Sequence, residues 1–146
     1  MMGDLAREIN STFPNERVKA LLNIKYTASW LDQIGTELLK PHNISEQQYN
    51  ILRILRGASK EITVTEVKER MIQKSPNTTR LMDKLCDKKL IERRRCESDR
   101  RVVFVKISKK GLDLLKRINL SDFHMYMDRL TIDEAKLLND LLDKLR

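Results

Sequence analysis

The fold is decided by residues 63–108, which read TVTEVKERMIQKSPNTTRLMDKLCDKKLIERRRCESDRRVVFVKIS. Thr63 and Glu66 have the spacing of a capping box, which opens a short helix. Ser75 and Pro76 open a second helix, because serine is a preferred cap and proline suits the first helical position. The stretch therefore predicts two helices separated by a tight turn.

A β-hairpin follows the second helix in the predicted structure. The first strand covers Ile91 to Arg95, and the second covers Val102 to Ile107, where residues alternate between two faces. A polar loop from Cys96 to Arg101 lies between them and is typical of a turn that joins two paired strands.

Helices flank this stretch on its N-terminal side. A first helix is predicted from about Asn15 to Lys40, after an irregular segment at Phe13-Pro14. A second begins with the capping-box pair Ser45 and Gln48 and stops near Gly57. The first helix carries a heptad-like apolar seam, made of Leu21, Ile24, Ala28, Leu31, Gly35 and Leu38.

Two helices complete the chain on the C-terminal side. Ser108 caps a long helix that is predicted to run to about Arg129. Thr131 and Glu134 form a further capping-box pattern, which opens the last helix. That helix has a leucine-rich face, which we expect to be buried, made of Leu137, Leu138, Leu141, Leu142 and Leu145.

The excess positive charge is concentrated in one segment. The chain has 29 basic and 21 acidic residues, for a net charge of +8, and residues 60–117 hold 18 of the basic and 9 of the acidic ones. A neutral scaffold that carries a basic module is the charge pattern of a nucleic-acid binder. A solvated basic surface is the alternative interpretation.

The helix that starts at Ser75 begins with polar residues that suit the DNA major groove. Asn77 can form paired hydrogen bonds with adenine, and Arg80 can do the same with guanine or can bind phosphate. Ser75 and the exposed N–H groups at the helix start can bind phosphate as well. The alternative is a capped surface helix with a polar end.

The hairpin strengthens the DNA interpretation. Crowded guanidinium groups repel one another unless an anion is near, and an arginine at the tip of such a wing fits the narrow, negative minor groove. Asp99 is placed to hold the guanidinium of Arg101 in a fixed fork. The alternative is a loop of internal salt bridges formed by Glu92, Glu97 and Asp99. Five arginines flank the loop, namely Arg93, Arg94, Arg95, Arg100 and Arg101.

Together these elements predict a mainly α-helical protein with a small β-hairpin wing, which is a winged helix-turn-helix. We expect a single domain over residues 1–146, with a winged-helix DNA-binding region at 42–117 flanked by dimerisation helices at 15–40 and 118–146. The side chains expected to contact double-stranded DNA are Ser75, Asn77, Thr78, Thr79, Arg80, Lys84, Arg94, Arg95, Asp99, Arg100 and Arg101.

The two flanking regions also predict a homodimer. Their apolar faces are too large for a thin domain to hide alone, and exposed patches of this kind mark interfaces. A two-fold dimer would place two recognition helices about one DNA turn apart, near 34 Å. The alternative is that the two flanking helices pack against each other within one chain.

The stretch from Thr63 to Leu115 closely resembles the MarR family of bacterial regulators. The resemblance implies a homodimer that binds a pseudo-palindromic operator, with recognition by the Ser75 helix and minor-groove contact by Arg101, which Asp99 orients. It is carried by Thr63-Val64-Thr65-Glu66-Val67, Thr79 to Leu85, Leu90 to Arg93, Asp99-Arg100-Arg101, then Val103, Val105, Ile107 and Ser108 through Gly111-Leu112.

The resemblance further implies a repressor that a small aromatic or phenolic effector releases from DNA. The apolar space near Tyr26 and Trp30 is a candidate effector site, although core aromatics are the favoured interpretation of these residues. The chain departs from the family at Lys89, where a glycine is usual and a left-handed helix end would cost lysine about 1 kcal/mol. It also departs at Lys68, where a small residue is usual.

The two cysteines fit a reducing compartment, and we expect a cytoplasmic protein without a membrane partner. Cys86 is expected to be a small core residue. Cys96 follows three arginines, which favour the thiolate, so a cysteine-based redox-responsive regulator is one alternative function. The peroxide-sensing branch of the family carries its cysteine in the first helix, which has none here. A winged-helix protein-interaction module is the other alternative. No cofactor, metal-site or catalytic motif is recognised, so we expect no enzyme.

Overall fold

The computed structural model describes residues 3–146. They form a mainly helical chain with a small antiparallel sheet, as the sequence predicts. The helices are α1 (Leu5–Glu8), α2 (Glu16–Leu39), α3 (Glu46–Ala58), α4 (Val64–Arg70), α5 (Thr78–Asp87), α6 (Lys109–Arg117), α7 (Ser121–Met127) and α8 (Ile132–Lys144). The strands are β1 (Ile62–Thr63), β2 (Ile91–Arg95) and β3 (Val103–Ile107).

Helices α2, α3, α4 and α8 begin where local side-chain chemistry predicts. Asn15 caps α2 by accepting a hydrogen bond from the backbone N–H of Val18. The three capping boxes are complete, since each cap side chain and each partner side chain bonds the other's backbone. These boxes start α3, α4 and α8, and they pair Ser45 with Gln48, Thr63 with Glu66, and Thr131 with Glu134.

The sheet has three strands in the order β1-β3-β2, whereas the sequence predicts only the β2–β3 hairpin. The additional strand pairs Ile62 with Val105 and Thr63 with Phe104. A strand of two residues is too short to show the alternation of apolar and polar residues by which strands are recognised in a sequence. The added strand fixes the base of the wing to the start of α4.

The hydrophobic core lies mainly within the winged region and extends to Leu39 and Ile118. Residues from α3, α4, α5, the sheet and α6 meet there with their side chains fully or almost fully withdrawn from solvent. Burying such side chains stabilises a fold by about 1.5–3 kcal/mol each. The most deeply buried are Ile51, Leu52, Leu55, Ile62, Val67, Met82, Leu85 and Val105.

The prediction of one long helix from Ser108 to about Arg129 is wrong, because α6 ends at Arg117 and a separate helix, α7, follows it. Ile118 has an extended backbone, with φ −72° and ψ 115°, and its side chain is buried in the core. The side chain of Asn119 then accepts a hydrogen bond from the backbone N–H of Ser121, where α7 begins. The apolar period continues across this break, so the sequence pattern conceals it.

The leucine-rich face of α8 is exposed, so the burial expected for it does not come from packing within one chain, in keeping with an apolar face too large for one domain to hide. Leu137 is 58% exposed and Leu145 is 70% exposed. Tyr26 and Trp30 on α2 are also exposed rather than core aromatics, and Trp30 meets the ring of Tyr126 edge to face at 4.8 Å. Packing within one chain therefore leaves the apolar faces of α2 and α8 uncovered.

Helices α3 and α5 end at left-handed residues that are not glycine. Lys89, just after α5, has φ 61°, as the comparison with the family pattern anticipates. Helix α3 ends through Ser59 with φ 57°, whereas Gly57, the expected end, lies inside the helix. Before α2, α1 forms one helical turn, and Phe13 and Pro14 lie in the irregular segment that the sequence predicts. None of the helices in residues 3–146 has the length and apolar content that crossing a bilayer requires.

Candidate nucleic-acid interface

Helix α5 begins later than the sequence predicts. Ser75 and Pro76 form a turn, and the first helical residue is Thr78, with Asn77 in the cap position. The hydroxyl oxygen of Ser75 accepts a hydrogen bond from the backbone N–H of Asn77 at 3.1 Å. Ser75 therefore still satisfies a donor at this end, although the helix starts three residues after it.

Thr78 does not belong to the exposed surface, which corrects the prediction that it contacts DNA. Its side chain is 1% exposed, and its hydroxyl donates to the carbonyl oxygen of Ser75 at 2.9 Å. The same hydroxyl lies 3.5 Å from the sulfur of Met71, at the end of α4. Thr78 thus joins the two helices of the helix-turn-helix and cannot reach a base edge.

The remaining predicted residues of α5 form one exposed surface. Asn77, Arg80 and Lys84 are separated by three or four residues, so they share a helix face, and Thr79 lies exposed beside them. Met82 and Leu85 occupy the opposite face in the core. The helix therefore presents amide, hydroxyl and cationic donors outward from a rigid base, the chemistry that reads base edges and phosphates.

The wing tip is a closed loop. The backbone N–H of Cys96 donates to the carbonyl of Val102 at 2.9 Å, and the N–H of Val102 donates to the carbonyl of Asp99 at 3.0 Å. One carboxylate oxygen of Asp99 accepts from the backbone N–H of Arg101 at 3.0 Å and from its Nε at 3.3 Å. The contact is thus through one oxygen rather than a fork, and the Arg101 side chain remains 92% exposed.

The wing arginines divide into two groups. Arg93 forms an ion pair with Asp83 of α5, and Arg94 pairs with Glu61, so both are engaged within the protein. Among the described residues, no ion pair involves Arg95 or Arg100. The internal salt bridges weighed as an alternative exist in part, since Asp99 holds Arg101, but Glu92 pairs with Lys106 instead.

The two cysteines differ in their surroundings. The hydroxyl of Ser98 lies 3.1 Å from the sulfur of Cys96, and this contact, with the backbone groups of Ser98 and Asp99, lowers the pKa of the Cys96 thiol. The charge of Arg94 also lowers the pKa of Cys96, as the sequence predicts, but it contributes less than these contacts. Partial burial raises the pKa of the Cys86 thiol, in keeping with a structural side chain.

A cavity of about 550 Å³ lies where the end of α2 meets α3 and α7. Its walls are mostly apolar, and they include Leu38, Ile54 and Phe123. Tyr26 and Trp30, near which an effector site is considered from the sequence, do not line it. The volume is within the range of pockets that hold small organic ligands.

Two hydrogen bonds connect the wall of this cavity to the turn between α4 and α5. The side-chain amide of Gln47 donates to the side-chain oxygen of Gln73 at 3.3 Å. The backbone N–H of Ile72 donates to the side-chain oxygen of Asn50 at 3.0 Å. All four residues line the cavity, so its wall is continuous with the turn that precedes α5.

An acidic pair stands at the edge of the same cavity. Burial and the neighbouring carboxylate of Asp32 raise the pKa of Glu46 above its ordinary value. The Glu46 carboxyl lies against Gly35, where an added Cβ would be 1.7 Å from its oxygen. Gly35 in the predicted apolar seam therefore makes room for a side chain of α3.

Comparison with known proteins places this geometry among transcription regulators. The MarR family model matches residues 44–103. The multiple antibiotic resistance protein MarR of Escherichia coli strain K12 is 30% identical over 139 residues, which cover 92% of each protein. A crystal structure of a mutant of that MarR, complexed with operator DNA, has a TM-score of 0.71 at 30% identity and covers 98% of this chain and 99% of that one.

Two further solved structures share the fold. A MarR transcription factor from Planctomyces limnophilus has a TM-score of 0.70 at 31% identity and covers 90% of this chain and 98% of that one. A protein described as a MarR-like regulator from Bacillus cereus has a TM-score of 0.77 at 22% identity, covering 89% of this chain and 95% of that one. The likeness extends over nearly the whole chain, including the helices that flank the winged region.

Proposed function

Since this chain belongs to the MarR family, we propose that it represses transcription by binding a pseudo-palindromic operator as a homodimer. The observation that supports this most is the exposed face of α5, with Asn77, Arg80 and Lys84, together with a wing tip that carries Arg101. In this proposal α5 reads the major groove, and Arg101 enters the minor groove beside it.

The test is a titration with labelled duplex DNA from upstream of the protein's own gene, beside a scrambled duplex, at several salt concentrations. Arg101→Ala is expected to weaken binding to the first duplex by about 1–3 kcal/mol. Arg7→Ala, which removes a 90% exposed arginine outside the winged region and outside both flanking regions, is the charge-matched control. Equal, weak binding to both duplexes, with no difference between the two variants, would falsify sequence-specific recognition.

We further propose that residues 15–40 and 118–146 form the dimer interface, around the winged region at 42–117. The uncovered leucines of α8 and the apolar residues of α2 support this, because large exposed apolar faces mark interfaces. Leu141→Asp should convert a dimer to a monomer in sedimentation, whereas Ile72→Asp, an 86% exposed residue outside both regions, should not. A wild-type protein that sediments as a monomer at every concentration contradicts the proposal.

The cavity beside α3 is our proposed site for an effector that releases the protein from DNA. Its connection to the turn before α5 gives an occupant a route to the recognition helix, and its apolar walls suit a small aromatic or phenolic compound. An effector acts only through its different affinity for the two states of the protein. Phe123→Ala should therefore abolish the effect of small phenols on DNA affinity, while Tyr26→Ala, outside the cavity, should preserve it.

A further inference from the structure

Arg94 is held on two sides within the sheet. Its Nε lies 3.2 Å and 3.0 Å from the two carboxylate oxygens of Glu61, and a terminal guanidinium nitrogen lies 2.9 Å from the second oxygen. Its guanidinium carbon lies 4.6 Å from the ring centre of Phe104, a distance typical of a cation–π contact. We call Glu61, Arg94 and Phe104 the wing clamp.

The wing clamp crosses all three strands. Arg94 on β2 is directly opposite Phe104 on β3, and Phe104 is directly opposite Thr63 on β1. Glu61 immediately precedes β1. Strand β2 leads into the wing tip, and we call it the arm of the wing. Because Thr63 caps α4, the clamp links this arm to the first residue of the helix-turn-helix.

A second contact links the same arm to the recognition helix. Arg93, the neighbour of Arg94, points to the other face of β2 and forms an ion pair with Asp83 of α5. A two-stranded ribbon is marginally stable by itself, so its direction depends on such attachments at its base. The two arginines together hold the arm from both faces.

We propose that Arg94 is a positioning residue: through the wing clamp it sets the direction of the wing so that Arg101 meets DNA while α5 occupies the adjacent groove. The proposal rests on the DNA-binding function proposed above and replaces the predicted contact of Arg94 with DNA. A two-oxygen pairing of arginine with carboxylate adds geometric precision. The pairing with Glu61 also neutralises the positive charge with which Arg94 would bind a phosphate. It therefore favours a positioning role for Arg94 over direct binding of DNA.

Glu61→Gln separates these two roles because they predict opposite signs. The variant raises the net charge by one and frees Arg94. If Arg94 were a restrained phosphate ligand, duplex affinity would rise and the log–log salt slope would steepen by about 0.9. If the clamp positions the wing, affinity for the operator falls, by about tenfold, even though positive charge is gained. An increase in affinity overturns the proposal.

Glu92→Gln is the matched control, since it makes the same change of charge on the strand and face that carry Arg94, where Glu92 pairs with Lys106. It should leave operator affinity unchanged or slightly higher. Arg94→Lys keeps the positive charge but loses the guanidinium that contacts both carboxylate oxygens of Glu61, so it should weaken operator binding as Glu61→Gln does. A loss of affinity in Glu92→Gln equal to that in Glu61→Gln contradicts a specific role for the clamp.

Two readouts distinguish positioning from general support of the fold. In the Glu61→Gln background, Arg101→Ala should cost much less affinity than it does in the wild-type protein, because the wing no longer reaches its groove. Thermal unfolding should change little, since exposed ion pairs contribute little stability. A marked fall in melting temperature, with the full effect of Arg101→Ala retained, overturns the proposal.

Hydrogen exchange tests the clamp without DNA. The amides of Cys96 and Val102, which bond across the wing tip, should exchange faster in Glu61→Gln than in Glu92→Gln or the wild-type protein. If these amides exchange at the same rate in Glu61→Gln as in the wild-type protein, the clamp does not hold the wing, even where DNA binding is intact. Conversely, a wild-type protein that does not distinguish operator from scrambled duplex refutes the proposed function, and the exchange rates still decide whether the clamp holds the wing.

Discussion

Gly111 lies directly against the carbonyl oxygen of Leu90, so that a Cβ built on this glycine would be 2.3 Å from that oxygen. The same junction is held by Ser108, whose backbone N–H donates to the Leu90 carbonyl at 3.0 Å and whose hydroxyl donates to the Lys89 carbonyl at 2.7 Å. The start of α6 therefore sits on the backbone that joins α5 to the wing.

Gly111→Ala should destabilise the fold by about 1–3 kcal/mol, because the methyl group must displace backbone. Gly57→Ala is the matched control: Gly57 is also helical, but an added Cβ meets nothing within 4 Å. It should stabilise by about 0.5–1 kcal/mol, the usual gain for alanine in a helix. Urea unfolding of both variants measures the difference, and equal effects at the two sites would contradict the close approach.

Lys89→Gly should stabilise the protein by about 0.5–1 kcal/mol. Relief of the left-handed backbone, worth roughly 1–2 kcal/mol, exceeds the entropic cost of glycine. Lys89→Ala removes the side chain and its charge but keeps the left-handed backbone, so it should change stability little. Equal stability of the glycine and alanine variants in thermal unfolding would show that φ 61° carries no strain.

Asp99→Ala should weaken operator binding about fivefold, equivalent to about 1 kcal/mol, the net contribution of a typical hydrogen bond. The loss is expected although a negative charge is removed, because Arg101 no longer has the contacts at 3.0 Å and 3.3 Å that orient it. Glu97→Ala, in the same loop, provides the equal change of charge without those contacts. Tighter binding by both variants would mean that charge alone governs the wing.

Cys96 should be alkylated by iodoacetamide before Cys86, because the pKa of the Cys96 thiol is lowered and that of the Cys86 thiol is raised. Ser98→Ala should slow the labelling of Cys96 near neutral pH more than Arg94→Gln does, since the Ser98 hydroxyl is the larger cause of the shift. Cys86 in the same sample serves as the internal control. Mass spectrometry of each cysteine peptide follows both rates.

Glu46→Gln should stabilise the protein near neutral pH and have little effect in acid. The pKa of Glu46 is raised on folding, chiefly by burial and then by Asp32. A raised carboxyl pKa means that stability is lost as the pH rises from the unfolded value, near 4.5, through the folded value. Urea unfolding at about pH 3.5 and about pH 7 tests this, with the exposed Glu37→Gln as control. A gain that is the same at both pH values would refute it.

The features predicted correctly from sequence are those encoded within a few residues. The capping boxes at Ser45, Thr63 and Thr131 specify helix starts by side-chain chemistry at fixed spacing. The Asp99–Arg101 contact is equally local, and the structure contains it. The winged fold follows from the order of such elements along the chain.

The features missed depend on contacts between distant residues or on what covers a surface. Glu61 and Arg94 are 33 positions apart, and nothing in a local pattern pairs them. Thr78 has the chemistry of a surface residue, but the meeting of α4 and α5 buries it. The leucines of α8 have the same spacing whether they face a core or a partner, so their spacing alone does not show which of the two covers them, and one chain leaves them exposed.

The division of the wing arginines also shapes how the molecule encounters a partner in solution. Arg93 and Arg94 are neutralised by Asp83 and Glu61, so the hairpin arginines without an ion pair among the described residues, Arg95 and Arg100, lie toward its far end. A polyanion that diffuses toward the protein is drawn to that end first. Added salt, by screening this attraction, slows the rate of encounter more than it shortens the lifetime of the complex once formed.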